Sequence, residues 1–144
     1  MNPISDFMTR SQHAIGHDQS LKLARDRMHQ YGIRHLPVLD RGVLVGVLSE
    51  RDIALIGAIS PKHVEATTVE DAMSTEPYAV EPGTDAKIVT AHMAEHKSGC
   101  AVVMEDHKVL GVFTSVDALS LLTSLLHEFK DTAALSRHSR PARG

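Results

Sequence analysis

Two short segments place a hydroxyl and a carboxylate three residues apart, each straight after an apolar run. One is Gly46-Val47-Leu48-Ser49-Glu50-Arg51-Asp52, the other Gly111-Val112-Phe113-Thr114-Ser115-Val116-Asp117. A strand that ends in Ser or Thr, with Asp three positions on, sets both groups at the start of a helix. There they can act as a cap, the hydroxyl accepting a backbone N–H and the carboxylate facing the positive end of the helix dipole. The same two groups can also hold the cis-diol of a ribose, and a helix N-terminus favours a nearby phosphate. The cap reading is sufficient for either segment alone. It does not require the same chemistry at both.

The two segments belong to a repeat. Slid by 65 residues, the chain matches itself without a gap: Asp6 falls on Asp71, Met8 on Met73, Met28 on Met93, Val38 on Val103, Gly46 on Gly111 and Asp52 on Asp117. Repetition of this kind fixes architecture before any local signal does. Each copy reads as helix, strand, helix, strand, strand, helix. The fold class is α/β (α+β), two pseudo-symmetric units that bury their apolar faces against each other, with clefts between them. The first unit spans residues 3–60, the second 68–127, and residues 131–144 form a flexible tail.

In the first copy Pro3 sits in the first turn of a helix running to about Met8. His13 to Ile15 is extended. Ser20 caps a helix with Leu21, Ala24 and Met28 at helical spacing, and Gly32 ends it. His35 to Leu39 is a strand, Asp40 to Gly42 a turn, Val43 to Leu48 a buried strand, and Ser49 opens a helix through Ile59. Ser60 to His63 reads as a connector. The second copy repeats the order: Val69 to Met73, Tyr78 to Val80, Asp85 to His96, Ala101 to Met104, Val109 to Phe113, and Ser115 to about Lys130.

Composition narrows the function. The 144 residues carry a net charge of −3, which disfavours non-specific nucleic-acid binding, a process that needs a basic surface. Only the tail, with Arg137, His138, Arg140 and Arg143, is locally basic. Cys100 is the single cysteine, so no internal disulfide can form. The N-terminus lacks the apolar core of a signal peptide, and no apolar run approaches the roughly 20 residues that span a bilayer. These features lead us to expect a cytoplasmic protein without membrane contact. No nucleophile, base and orienting acid can be assembled, there is no Walker loop, and the repeats leave no segment for a catalytic domain. A non-enzyme is expected.

The chain resembles a tandem pair of CBS domains, the Bateman module, over about residues 3–127. The resemblance rests on Gly32-Ile33-Arg34-His35-Leu36-Pro37-Val38-Leu39-Asp40 and Val45-Gly46-Val47-Leu48-Ser49 with Asp52. In the second copy it rests on Val102-Val103-Met104-Glu105 and Leu110-Gly111-Val112-Phe113-Thr114 with Asp117. It implies two α/β units packed through their sheets, forming a stand-alone regulatory module that senses an adenosine-containing ligand (AMP, ADP or ATP, S-adenosylmethionine, or NAD) and signals to a separate regulated protein. No obligatory cofactor is implied; the adenosine nucleotide is a regulatory ligand. Ser49 with Asp52, and Thr114 with Asp117, would hold ribose. Backbone near the first short strand, at Ile15 and Val80, would lie beside the base. Arg34 and His35 would approach base or phosphate, and Arg51 would reach phosphate in the opposite cleft. The second copy has Gly99-Cys100 where the first has Arg34-His35. The first cleft is therefore expected to suit a phosphorylated nucleotide, and the second a less charged adenosine compound or none.

Two rival readings stay open. In one, the four corner residues are caps only and the protein is a ligand-free interaction module. In the other, His92 and His96, four apart on one helix face, join Cys100 in a metal-responsive CBS protein. The two imidazoles alone fall short of the three or four ligands zinc sites need, and no ligand run such as HExxH or CxxC completes the set. Finally, Ile53 to Ile59 reads IALIGAI, and the matching helix carries Leu119, Leu121, Leu122, Leu125 and Leu126. Packing on one sheet needs a single apolar stripe. The surplus implies a second buried surface: either the two helices cover each other within the chain, or they form a homodimer, which is what the resemblance implies.

Overall fold

Local chemistry sets the long helices. Ser20 accepts a hydrogen bond from Leu23 N at 3.1 Å and opens α1 (Leu21–Tyr31), and Gly32, at φ 64°, closes it in the left-handed region. Asp85 caps α5 (Ala86–His96) through Lys87 N. There the closing left-handed residue is Lys97, at φ 55°, where a side chain costs about 1–2 kcal/mol relative to glycine. The computed structural model describes residues 1–133, with side chains to residue 130. The tail from residue 134 and its basic cluster lie outside the described residues.

The remaining elements are β1 (Thr9–Arg10), β2 (Ile15–Gly16), β3 (His35–Asp40), β4 (Val43–Ser49), α2 (Glu50–Ile59), α3 (Pro61–Ala66), α4 (Val69–Ala72), β5 (Ser74–Thr75), β6 (Ala79–Val80), β7 (Cys100–Glu105), β8 (Lys108–Thr114) and α6 (Ser115–Ala133). A single 3-10 turn, Ile4–Asp6, precedes β1 in place of the longer helix expected from Pro3. The stretch read as a connector is helical: Ser60 caps it through Lys62 N and Pro61 fills its first position. Strand β4 is less buried than its apolar run implied. Val43 is exposed, and only Gly46 and Leu48 are fully covered.

Two mixed sheets form, ordered β2-β3-β4-β5 and β1-β8-β7-β6. These orders cross the repeats. Strand β1, from the first copy, pairs antiparallel with β8 of the second, Thr9 opposite Val112 and Arg10 opposite Gly111. Strand β5, from the second copy, pairs with β4 of the first, Gly46 opposite Thr75. The cores cross in the same way. Val69 is buried among Leu21, Met28, Leu36, Val38, Leu48 and Ile53 of the first copy, with Ala72 and Met73 against them. Ile4 is buried among Val89, Met93, Val103 and Phe113 of the second, with Phe7 and Met8 beside it. Each unit thus takes its opening helix and edge strand from the other copy. Neither core is complete without both.

Candidate functional site

Both strand-to-helix corners form as caps. Ser49 N–H donates to Asp52 Oδ2 at 2.9 Å, and Asp52 N–H donates to Ser49 Oγ at 3.1 Å, a reciprocal capping box. In the second copy Thr114 N–H and Thr114 Oγ1 donate to Asp117 Oδ2 at 2.9 and 3.1 Å, and Asp117 N–H donates to Thr114 Oγ1 at 3.2 Å. Asp117 has a further partner across the repeat: Thr9 Oγ1 donates to its Oδ1 at 2.9 Å.

Each corner lines a cleft built from both copies. The first cleft, about 600 Å³, joins Ser49, Arg51 and Asp52 to Ser74 through Tyr78 and Lys97 through Cys100. The second, about 350 Å³, joins Thr114, Val116 and Asp117 to Thr9, Ser11 and Gly32 through His35. The segment before the central strand of one copy therefore faces the corner of the other. This corrects the expected pairing. Arg34 and His35 approach Thr114 and Asp117 as well as Ser49 and Asp52, and they line both clefts. Arg51 stands in its own corner's cleft, not the opposite one.

Ile15 lines neither cleft. It is buried in the first core, opposite Val38. Val80 faces a separate groove at the outer end of the second sheet, with Glu81, Glu105 and His107. The cleft wall near these strands is made two residues earlier, by Tyr78, whose carbonyl accepts Val102 N–H at 2.8 Å. The matching position of Val102 in the first copy is Pro37, which has no N–H to give. Thr9, Ser11, Ser74, Glu76, Tyr78 and Lys97 are among the lining residues that sequence reasoning missed. One signal was available: Thr9 and Ser74 fall on each other in the repeat, hydroxyl on hydroxyl.

His35 lies where the clefts meet. Its Nε2 is 3.9 Å from where a Cβ on Gly99 would stand. Burial lowers its pKa, and the nearby carboxylates of Asp52 and Asp117 only partly oppose this. A histidine held neutral in the fold but free to protonate when unfolded opposes folding as pH falls. The penalty starts near the unfolded value of about 6.5 and grows until the folded value is passed. Stability of the wild type relative to His35→Gln is expected to drop between pH 7 and pH 5. Parallel urea titrations of the two proteins, with no widening gap across that range, would contradict it.

The histidine pair is used differently from a metal site. His92 stacks on Tyr78 with centroids 3.6 Å apart and on His96 at 4.0 Å, and His96 Nδ1 lies 3.0 Å from the His92 carbonyl. Burial pushes the Cys100 thiol up to about 12, which leaves it protonated at neutral pH. Among the described residues, no three His, Cys, Asp or Glu gather as a ligand set. No helix among them is long and apolar enough to cross a membrane.

Comparison with known proteins supports the same frame. The chain is 27% identical over 138 residues to the CBS domain-containing protein YhcV of Bacillus subtilis, covering 89% of this chain and 98% of that one. The crystal structure of CBSX2 in complex with AMP superposes with a TM-score of 0.72 at 23% identity, covering 86% and 98% of the two chains. The CBS domain pair of protein MJ0100, in complex with 5'-methylthioadenosine and S-adenosyl-L-methionine, does so with a TM-score of 0.73 at 24% identity, covering 86% and 98%. The CBS-domain family model matches twice, at residues 4–58 and 69–124. With two corners of one design, two clefts shared between the copies, and a match over most of its length, the chain belongs to the CBS-domain family as a tandem pair.

Proposed function

We propose that this CBS pair is a regulatory module that binds an adenosine-containing ligand in the clefts between its units and passes its state to a partner protein. One observation carries the reading: a hydroxyl and a carboxylate recur, at matching positions, on the walls of both clefts. The adenosine compounds held by CBSX2 (AMP) and by the MJ0100 pair (5'-methylthioadenosine and S-adenosyl-L-methionine) support a ligand of that class. A ligand touching both copies favours the arrangement of units that fits it, and differential binding of that kind shifts the population a partner sees. No catalytic role is proposed for any residue.

A thermal-shift screen of AMP, ADP, ATP, NAD and S-adenosylmethionine tests this. At 100 times Kd a ligand adds about 2.7 kcal/mol, a rise in Tm of roughly 5–10 °C for a chain of this size. If no compound raises Tm, the reading fails for these ligands. The competing reading, a ligand-free interaction module, draws on the hydrogen bonds that already occupy all four corner groups as caps. It predicts a flat screen.

The signalling surface is assigned to α2 and α6, as the interface of a homodimer. Ile53 is buried and Ile56 packs on the first core, so part of the IALIGAI run is used within the chain. Leu55, Ile59, Leu119, Leu122, Leu125, Leu126 and Phe129 remain exposed, so the two helices do not cover one another. Exposed apolar patches of this extent mark contact surfaces. Leu125→Glu is expected to split the dimer, because an unpaired charge is costly to bury. Light scattering should then fall to the 15.7 kDa of one chain. A wild type already at that mass, or a dimer indifferent to the charge, would count against the assignment.

A further inference from the structure

The two clefts are built alike but furnished differently, and the difference is sharpest at one pair of matching positions. Arg51, on the wall of the first cleft, falls on Val116, on the wall of the second. Both are the second residue of a helix that starts at the corner, and both are exposed. A second difference points the same way. Lys97, at the end of α5, lines the first cleft, and its match in the second is Gly32. Lys97 keeps its side chain there despite a left-handed backbone, φ 55°, which glycine would adopt at no cost.

Arg34 reaches both clefts but does not serve them equally. Its Nε lies 3.9 Å from Glu50 Oε2, and Glu50 is part of the first cleft. The first cleft thus gathers Arg34, Arg51 and Lys97, and the second has only a share of Arg34. In number the acids of the first cleft match its cations: Glu50 is engaged by Arg34, Asp52 is turned into its cap, and Glu76 also lines the wall. The difference between the clefts therefore lies in where the cations stand, Arg51 at the corner itself, and not in net charge. Volume agrees, about 600 Å³ against about 350 Å³. The wider space accommodates a nucleoside with a phosphate tail, and the narrower one suits the nucleoside alone.

We infer that the clefts take different classes of ligand: the Ser49–Asp52 cleft a phosphorylated adenosine compound, the Thr114–Asp117 cleft an uncharged one, with positions 51 and 116 deciding which. This rests on the adenosine reading above. It differs from the asymmetry expected from Arg34-His35 against Gly99-Cys100, because those segments face the other copy's corner. The Val116 position cannot offer a guanidinium to phosphate, and charge-assisted contacts of that kind are among the stronger polar interactions. One such contact is expected to change AMP affinity by about tenfold or more.

Calorimetry on the full chain tests the inference, with AMP and adenosine as probes. The wild type is expected to bind AMP at one strong site per chain, at least ~tenfold tighter than any second site. Arg51→Ala should weaken that site for AMP but not for adenosine. Val116→Arg, an exposed and readily tolerated change, should strengthen the second site for AMP by ~tenfold, bringing the chain toward two similar sites, and leave adenosine binding unchanged. Two equal AMP sites in the wild type overturn the inference while keeping the adenosine reading. So do unequal sites that Val116→Arg leaves unequal. Binding of neither probe removes the adenosine reading itself, and this inference with it.

Discussion

Replacing Gly111 with valine is expected to destabilise the chain by about 3 kcal/mol, through overpacking at a sheet that has no room to move. A Cβ at Gly111 would overlap the Thr9 carbonyl oxygen and stand 3.2 Å from both Arg10 Cα and Met8 Sδ. The obstacle is mostly backbone, so a rotamer change cannot relieve it. Strand β1 could back away only by giving up its pairing with β8, including the Ser11 N–H bond to Leu110 O at 3.2 Å, and by pulling Ile4 from the second core. Urea unfolding should show a lower midpoint at an unchanged slope. A midpoint within error of the wild type would mean that the opening strand does not lie against the second copy.

Truncating Phe113 to alanine is expected to cost about 3–5 kcal/mol. Phe113 is the largest side chain buried without solvent contact, and the other buried residues of its core are Ile, Val, Ala and Met. Phe7 and Tyr78 already pack against that core from its edge, so refilling the space would require them to leave those positions. The cavity would also open beside Thr114, the next residue, so the second cleft should loosen with the core. The matching position in the first copy is Leu48, also fully buried, and Leu48→Ala, which removes the smaller side chain, should fall in the lower part of the range of about 2–5 kcal/mol. Calorimetric unfolding of the two variants checks the order. A Phe113→Ala loss below that of Leu48→Ala would mean the second core is not organised around the aromatic ring.

Much of this architecture was legible because the chain states it twice. The 65-residue offset aligned helices, strands and both corners, and local chemistry placed the caps at Ser20, Gly32 and Ser49. The crossing of the copies was not legible. Strands β1 and β5 have two residues each, too short to carry a period, and Thr9-Arg10 and Ser74-Thr75 have no apolar alternation. Which copy a segment packs on is a matter of topology, and the repeat pattern is the same either way. That single ambiguity moved Arg34, His35 and Arg51 relative to the corners. At the short strands, side chains that turn to the core, such as Ile15, leave the cleft wall to neighbours such as Tyr78, a choice of face that two residues cannot announce. The missed helix α3 had a readable start in Ser60-Pro61, but at six residues it shows less than two turns of periodicity.

The central claim is that the paired hydroxyl and carboxylate bind a ribose and do not merely cap two helices. The decisive measurement is a calorimetric titration of AMP into the wild type and into the double variant Asp52→Asn, Asp117→Asn. Asparagine keeps an oxygen to accept the Ser49 and Thr114 backbone N–H groups, so the caps survive, but the charged acceptor for the diol is gone. Hydrogen bonds to a charged group are worth about 1.5–3 kcal/mol. The account predicts that AMP binds the wild type and binds the double variant at least ~tenfold more weakly, with the ligand-free Tm of the two proteins within a few degrees. AMP binding of equal strength to both proteins would contradict it.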